Sequence, residues 1–514
     1  MRKLFTKPLF LLLGIGLATT AGCRSPQHKG LLIIGLSQTV STLDPAMHRD
    51  RVVETVIRNM FDGLVTRTPD MKVVPQMAEK WRLVDKNTWE FKLRKGIRFH
   101  NLEPFTAEDV KFTIERIITR GAVDGQSSPR KGLLGPVTGV DIIDHYTVHI
   151  KTSEPWPTLI AMLPFQEIIP KDYVEKVGSS YFAEHPVGAG PFRFVEWRKG
   201  EHIIMERFDQ YYGGSPEIPP AGKARIKTLI FRPIPETATR VAALKAGECD
   251  LIQMVPPHLM SNIAKDPRTR ILSCRGTRSF YMGMNCTRPP FDDPRVRRAM
   301  NHAVDIDSII NTILEGMAVR LPGPLMLGSF GYHDDLRPYQ HNPQKARRLL
   351  KEAGYENGLE VELDTVQDLN EIALALSAQL ARVKVKAKVR LWEWGVLRTL
   401  LMKQERTLFI SSWGDASLDS IGILKPTLHS KGRGNYTGYS NPAVDHLLEK
   451  AEKGMDTEKR KQFLRQAQHL IFQDAPWIFG YSMKEIYGAR KRLKGWRPIP
   501  DGRMNMHDVF TAVE

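Results

Sequence analysis

Ala78-Glu-Lys-Trp81, then Thr88-Trp-Glu-Phe-Lys-Leu-Arg-Lys-Gly-Ile-Arg-Phe-His100, then Phe105-Thr-Ala-Glu-Asp-Val-Lys-Phe112 decide how this chain folds. Trp89, Phe91 and Leu93 alternate with Glu90, Lys92 and Arg94, and this period of two predicts a strand with one face in water. Gly96 marks a turn. Thr106-Ala-Glu-Asp109 then offers a helix start resembling a capping box, ahead of Val110, Ile114, Ile117 and Ile118 on one helical face. Strand, turn and helix in succession predict a mixed α/β protein. The same mixture recurs outward: a buried strand at 31–36 with turn residues at 37–45, strands at 192–205 and 280–285, and helical stretches at 293–315, 342–354 and 441–473. No short internal repeat and no low-complexity linker interrupts them, so domains are expected to join through packed crossings rather than tethers.

The chain has 514 residues, 42% hydrophobic and 25% charged, enough for a large core, which excludes disorder and collagen. Length predicts about three domains of roughly 150 residues. A net charge of +17 suits anionic ligands, anionic lipid heads or nucleic acid, or simply a basic solvated surface. No polybasic block is interleaved with aromatic residues, so nucleic acid is not an expected partner. Residues 1–22 read as an export signal: Arg2, Lys3 and Lys7 precede an apolar run from Leu9 to Leu17, and small residues follow. That run is about half of the ~20 residues a membrane span needs. Cys23 follows Ala21-Gly22 in the manner of a bacterial lipobox, although Thr20 replaces the usual Leu, and lipidation at Cys23 is the expectation against a simple cleaved signal. Losing residues 1–22 lowers the charge by three to +14, so the basic character belongs to the mature protein.

Cys249, Cys274 and Cys286 lack CxxC spacing; one pair plus a buried thiol is conceivable, and buried small hydrophobes are the default. HExxH, GxSxG, GxxxxGK[ST] and a strand-to-helix GxGxxG are all absent, and in Gly188-Ala-Gly190-Pro the proline removes a donor that a phosphate cradle would use. The sequence therefore offers no catalytic residues, metal ligands or cofactor site.

The opening blocks, together with Gly188-Ala-Gly-Pro-Phe192, Glu206-Arg-Phe-Asp-Gln-Tyr-Tyr-Gly-Gly214, Asn285-Cys-Thr-Arg-Pro-Pro-Phe-Asp-Asp-Pro-Arg-Val-Arg-Arg-Ala-Met-Asn301 and Tyr439-Ser-Asn-Pro-Ala-Val-Asp445, resemble the extracytoplasmic family 5 solute-binding proteins, the dipeptide- and oligopeptide-binding components of ABC importers. The likeness runs in order from about 31 to 510. It implies a two-lobed α/β periplasmic-binding-protein fold of type II with an extra subdomain inserted in lobe I. Lobe I would comprise 31–72, 187–276 and 489–514, the insertion 73–186, and lobe II 277–488, with hinge crossings near 275–281 and 487–496. Most of these blocks read as scaffold: Asp293-Pro294 as a helix start with Arg295, Arg297 and Arg298 mostly outward, and Trp81, Trp89 and Phe99 as core.

The resemblance also implies a site. Ser411-Ser-Trp-Gly-Asp-Ala-Ser-Leu-Asp419 stands where peptide-binding members place a Trp and an Asp that pairs with the ligand's α-ammonium. Trp413 and Asp415 are the nearest match and Asp419 the second, although the usual Asp-Pro is missing. Arg275 and Arg278 flank the first crossing beside Tyr281, where a guanidinium fork suits a ligand carboxylate. Residues 41–48, ending in His48, and Tyr439 are weaker candidates. The expected function is an ABC-importer binding protein, without chemistry of its own, that captures peptides or peptide-like conjugates outside the cytoplasmic membrane as a lipid-anchored monomer and delivers them to a permease. Glutathione, haem, an opine, a sugar or a nickel complex are the alternative ligands; an exported hydrolase and a receptor or chaperone without a transport role are the rivals from other classes.

Overall fold

The computed structural model describes residues 30–218 and 221–512; the expected signal segment and Cys23 lie outside the described residues. Strand Leu31–Leu36 forms where predicted, with Leu32, Ile34 and Leu36 fully buried. It runs parallel to Thr228–Pro233 on one side and Leu251–Ile252 on the other, and His202–Arg207 and Phe192–Arg198 extend the sheet antiparallel. In the other half of the molecule Leu359–Val366 lies parallel between Val385–Trp392 and Leu408–Gly414, and Arg278–Met284 pairs antiparallel with the latter.

One strand unites the halves. Trp477–Arg490, 14 residues and about 45 Å long at 3.3 Å per residue, pairs through its first half with Arg278–Met284. Through its second half it pairs with Thr269–Arg275 and Leu251–Ile252. The chain passes from Thr269–Arg275 to Arg278–Met284 through Gly276 and Thr277 alone, against the same long strand. A few torsions at such a junction can swing one half against the other.

Separate cores show why the halves behave as bodies. Leu32, Ile34, Phe61, Phe192 and Phe231 are packed with Trp496 and Met504 from the chain's end. Met282, Met300, Leu363 and Leu376 form a second core, and Leu424, Leu448, Leu464 and Trp477 a third on the same side. A further core, with Phe91, Phe99, Phe105, Val110 and Ile114, belongs to a four-stranded antiparallel sheet formed by residues 78–152 and covered by helix Ala107–Ile118. The molecule is thus a two-lobed α/β protein.

Several local expectations meet their reasons here. Thr106 and Asp109 form a full capping box at helix Ala107–Ile118. Strand Thr88–Leu93 forms, but its polar face is not simply wet: Glu90 is buried between Arg82, at 2.7 Å, and His149, at 3.1 Å. Gly188 and Gly190 lie so close to the Met60 backbone that a Cβ on either would overlap it, so this glycine pair serves packing. Asp293 caps helix Pro294–Ala303, yet Arg297 turns inward, contrary to expectation, and donates to the carbonyls of Asp474 and Phe291 at 2.8 and 2.7 Å. Unpaired carbonyls at neighbouring element ends need such a donor. Cys249, Cys274 and Cys286 are free thiols, and burial pushes the first two up to about 12 and the third to about 11.

Candidate functional site

Leu408–Gly414 carries apolar residues through the second lobe's core and delivers Trp413 and Gly414 to the face opposite the first lobe. Strand register sets Arg278 beside Gly414 and Ser279 beside Trp413, so these two predicted site residues emerge together at the first crossing. Trp413 is half-buried: its indole N–H donates to the Gly422 carbonyl at 3.0 Å, and Arg433 stacks over its ring at 4.8 Å. Arg278 is exposed and donates to Ser412 Oγ at 3.2 Å. Arg275 ends the preceding strand, exposed.

Asp415 and Asp419 have different fates. The Asp415 N–H donates to the Thr277 carbonyl at 3.0 Å, which ties the loop to the crossing. Its carboxylate accepts from the Ser417 N–H at 2.8 Å and Ser417 Oγ at 2.6 Å, an Asx-type turn. Burial pushes the Asp415 pKa up to about 6 against the pull of those hydrogen bonds; Asp419 adds to the rise and Arg67 opposes it. Asp419 is buried and fully engaged, with Arg460 Nη2 at 2.7 and 2.8 Å from its two oxygens and the Ile421 N–H at 3.1 Å. Thr158, from the inserted sheet region, reaches the same pair at 3.4 Å from Asp419 and 3.3 Å from Arg460.

Other predicted residues are buried in scaffolding. Tyr281 stacks on Trp477 with ring centres 3.6 Å apart, and the Tyr439 hydroxyl donates to Asp474 at 2.6 Å. His48 donates from Nδ1 to the Asp50 carbonyl, which leaves Nε2 to accept from Arg130 at 2.6 Å. Burial, then the Arg130 charge, lowers its pKa to about 4, so His48 is neutral at pH 7.

The sequence gives no hint of the charge cluster facing the Trp413 loop. Arg67 and Arg503 stack on the Phe165 ring at 4.8 and 4.0 Å. Arg503 lies 3.3 Å from Asp501 and 3.4 Å from Glu54; Arg130 lies 3.0 Å from Glu54 and 3.8 Å from Glu167, and Arg58 lies 3.6 Å from Glu167. Burial alone would raise the pKa of Glu54, but Arg130 and Arg503 hold it well below the usual carboxylate range. Burial and then the Glu54 charge push Glu167 up to about 7. Arg67 leaves this cluster to donate across the cleft to the Ala416 carbonyl at 2.5 Å and to Ala161 at 2.5 Å. Residues 54, 58, 67, 130, 167 and 503 share no spacing, so only topology brings them together. Beyond Arg67 a cavity of about 510 Å³ opens between the inserted region and the second lobe, walled by Trp81, Trp89, Phe330 and the Asp419–Arg460 pair. Trp81 and Trp89 are therefore only partly core.

The arrangement provides charged and aromatic groups between two hinged bodies. Among the described residues no three His, Cys, Asp or Glu side chains gather as a metal site, and no helix is long and apolar enough to cross a membrane. Residues 72–435 match the family described as bacterial extracellular solute-binding proteins, family 5. The glutathione-binding protein GsiB of Pectobacterium atrosepticum is 28% identical over 492 residues, covering 93% of each chain, and that of Escherichia coli O1:K1 is 27% identical over 97% of each. Among solved structures, HbpA2 from Haemophilus parasuis superposes with a TM-score of 0.86 at 26% identity, covering 94% of this chain and 100% of that one. The periplasmic binding protein DppA from Helicobacter pylori in complex with the peptide STSA has a TM-score of 0.72 at 26% identity, covering 94% and 98%. With the match spanning most of its length, the chain belongs to the family 5 bacterial extracellular solute-binding proteins.

Proposed function

We propose that this protein captures peptides or peptide-like conjugates in the cleft between its lobes, outside the cytoplasmic membrane, and hands them to an ABC permease without chemistry of its own. The observation that carries this reading is the Trp413–Asp415 loop, hydrogen-bonded to the first crossing and facing the opposite lobe, with a carboxylate that burial destabilises and a cationic ligand group would relieve. The likeness to the peptide-bound DppA and to the glutathione-binding proteins supports it. In this reading Asp415 meets the ligand's α-ammonium, Arg278 and Arg275 lie toward its carboxylate end, and Trp413 walls the cleft. Main-chain groups of both lobes supply further contacts that tolerate varied side chains. The lobe limits given from the sequence, a monomeric state and a lipid anchor on Cys23 are parts of the same proposal. For the anchor, Cys23→Ser should release the protein from detergent or leave its leader uncleaved, while a water-soluble mature form starting elsewhere contradicts it.

Melting temperature and small-angle scattering of the purified protein, with and without di-, tri- and tetrapeptides and glutathione, test the function. A binding peptide at a hundredfold excess over its Kd should stabilise the fold by about 2.7 kcal/mol and shrink the radius of gyration. Curves unchanged by every peptide contradict peptide capture.

A further inference from the structure

A second hollow, of about 280 Å³, lies outside the cleft: its described walls come from residues 67–69, 218–225 and 495–510, and none from the second lobe. Trp496 and Met504 anchor the last of these segments in the first lobe's core. Four arginines wall the hollow. Arg67 and Arg503 are buried, whereas Arg225 and Arg497 are exposed, so it runs from the charge cluster out to solvent. Arg67 and Arg503 converge on one carboxylate oxygen, Asp501 Oδ2, at 4.0 and 3.3 Å. Among the described residues, three acids lie within ion-pair distance of Arg58, Arg67, Arg130 and Arg503: Glu54, Glu167 and Asp501. Four guanidinium charges thus meet three carboxyl groups, one of which, Glu167, is pushed up to about 7 and holds less than a full charge at pH 7. Arg67 Nε and Arg503 Nη2 are buried without a hydrogen-bond partner. Arg225 stacks over the Phe510 ring at 5.0 Å, and among the described residues neither it nor Arg497 forms an ion pair. The acid on the wall, Asp508, lies 3.0 Å from His507 Nδ1.

Buried guanidinium groups that outnumber their counter-charges make an anion beside them favourable, because little water is present to screen the field. A phosphate group suits this place better than a carboxylate does. At pH 7 it carries about −1.5 to −2 charges, and its several oxygens accept from guanidinium forks that arrive from different directions. We propose that this hollow is a phosphate site, in which Arg225 and Arg497 close on the anion while Arg67 and Arg503 supply positive field from behind. The phosphate is either free in solution or the headgroup of an anionic phospholipid, and the two present the same chemistry to the arginines. The site is separate from the peptide reading, since neither the Trp413 loop nor the first crossing lines it. Arg67, whose Nη groups reach the Ala161 and Ala416 carbonyls, is the link between hollow and cleft.

Calorimetry on the purified protein, dialysed free of phosphate, tests this with sodium phosphate and, at equal ionic strength, sodium acetate. Phosphate should bind once per chain and acetate at least tenfold more weakly. Arg225→Gln and Arg497→Gln, both at exposed positions and checked for unchanged melting temperature, should each weaken phosphate at least fivefold. Arg337→Gln, at an exposed position in the other lobe, removes the same charge and should leave phosphate binding unchanged. Co-sedimentation with phosphatidylglycerol and phosphatidylcholine vesicles separates the two sources. Saturable binding of free phosphate with equal retention on both vesicles assigns the site to phosphate in solution. Greater retention on phosphatidylglycerol, lost in both variants, assigns it to a lipid headgroup. Phosphate binding and vesicle retention that both variants keep in full, or that Arg337→Gln lowers as much as they do, overturn the proposal, as does the absence of both.

Discussion

The two lobes meet in two places built on different principles. At the hinge they share a backbone ladder: Trp477–Arg490 is paired with strands of both lobes, and the first crossing is held by the Gly276 N–H on Met483 at 3.0 Å. At the opposite seam, among the described residues, side chains reach across: Arg67 to Ala416, Thr158 to Asp419 and Arg460, and Lys453 to Glu154 at 2.6 Å. Backbone pairing holds the register whether the lobes are open or closed, whereas side-chain contacts can be made and broken one at a time. A seam of that kind sets how readily the cleft closes without deciding how it hinges.

The comparison can be broken most severely at Arg460. Arg460→Ala leaves Asp419 buried without its partner and should destabilise the protein by about 3–5 kcal/mol, read by denaturant unfolding; a change below about 1 kcal/mol would mean that the pair is exposed. Arg67→Met keeps the stem's contact with Phe165 but removes the charged donor to Ala416, worth about 1.5–3 kcal/mol. Peptide affinity should fall tenfold or more while the hinge ladder, followed by amide exchange, keeps its protection. A loss of protection along Trp477–Arg490 would show that hinge and seam are one unit.

A third prediction concerns pH. Because the folded Asp415 pKa is raised to about 6 from an ordinary 3.8, the folded protein holds this proton more tightly than the unfolded chain. Its ionisation therefore removes stability as pH rises from about 4 to 6 and above. Ligand binding runs the other way: an ammonium needs the carboxylate charged, so affinity for a peptide should drop about tenfold from pH 7 to pH 5. An N-acetylated peptide should show no such drop. The smallest effect is expected at the exposed seam pair: Glu154→Gln should alter stability and affinity by less than about 1 kcal/mol. A larger effect would place this pair among the main closing contacts.

Local structure was legible where one segment decides it. The alternation at Thr88–Leu93, the capping box at Thr106 and the apolar run at Leu31–Leu36 each became the predicted element, because hydrogen bonding and burial there depend on near neighbours. The family blocks fixed the scaffold. The cleft was legible only in part: Trp413, Asp415 and Arg278 could be named from the family resemblance, and the structure brings them together at the first crossing, but the partners that set their chemistry come from distant segments. Arg67 and Arg503 look in sequence like any surface arginine, and nothing in the chain near either announces Phe165 or Glu54. The family resemblance ranks Asp415 ahead of Asp419, but nothing in a linear reading shows which of the two has an arginine partner. Arg460, 41 positions further on, pairs with Asp419, while Asp415 is turned onto Ser417.

The account stands on Asp415 meeting a ligand ammonium, and a double cycle by calorimetry at pH 7 tests that most directly. Asp415→Asn and N-acetylation of a bound peptide should each weaken binding by about 2–5 kcal/mol. Together they should weaken it by little more than either alone, since both remove the same contact. Losses that add in full would show that the carboxylate and the ammonium do not meet, and the site would have to be sought elsewhere in the cleft.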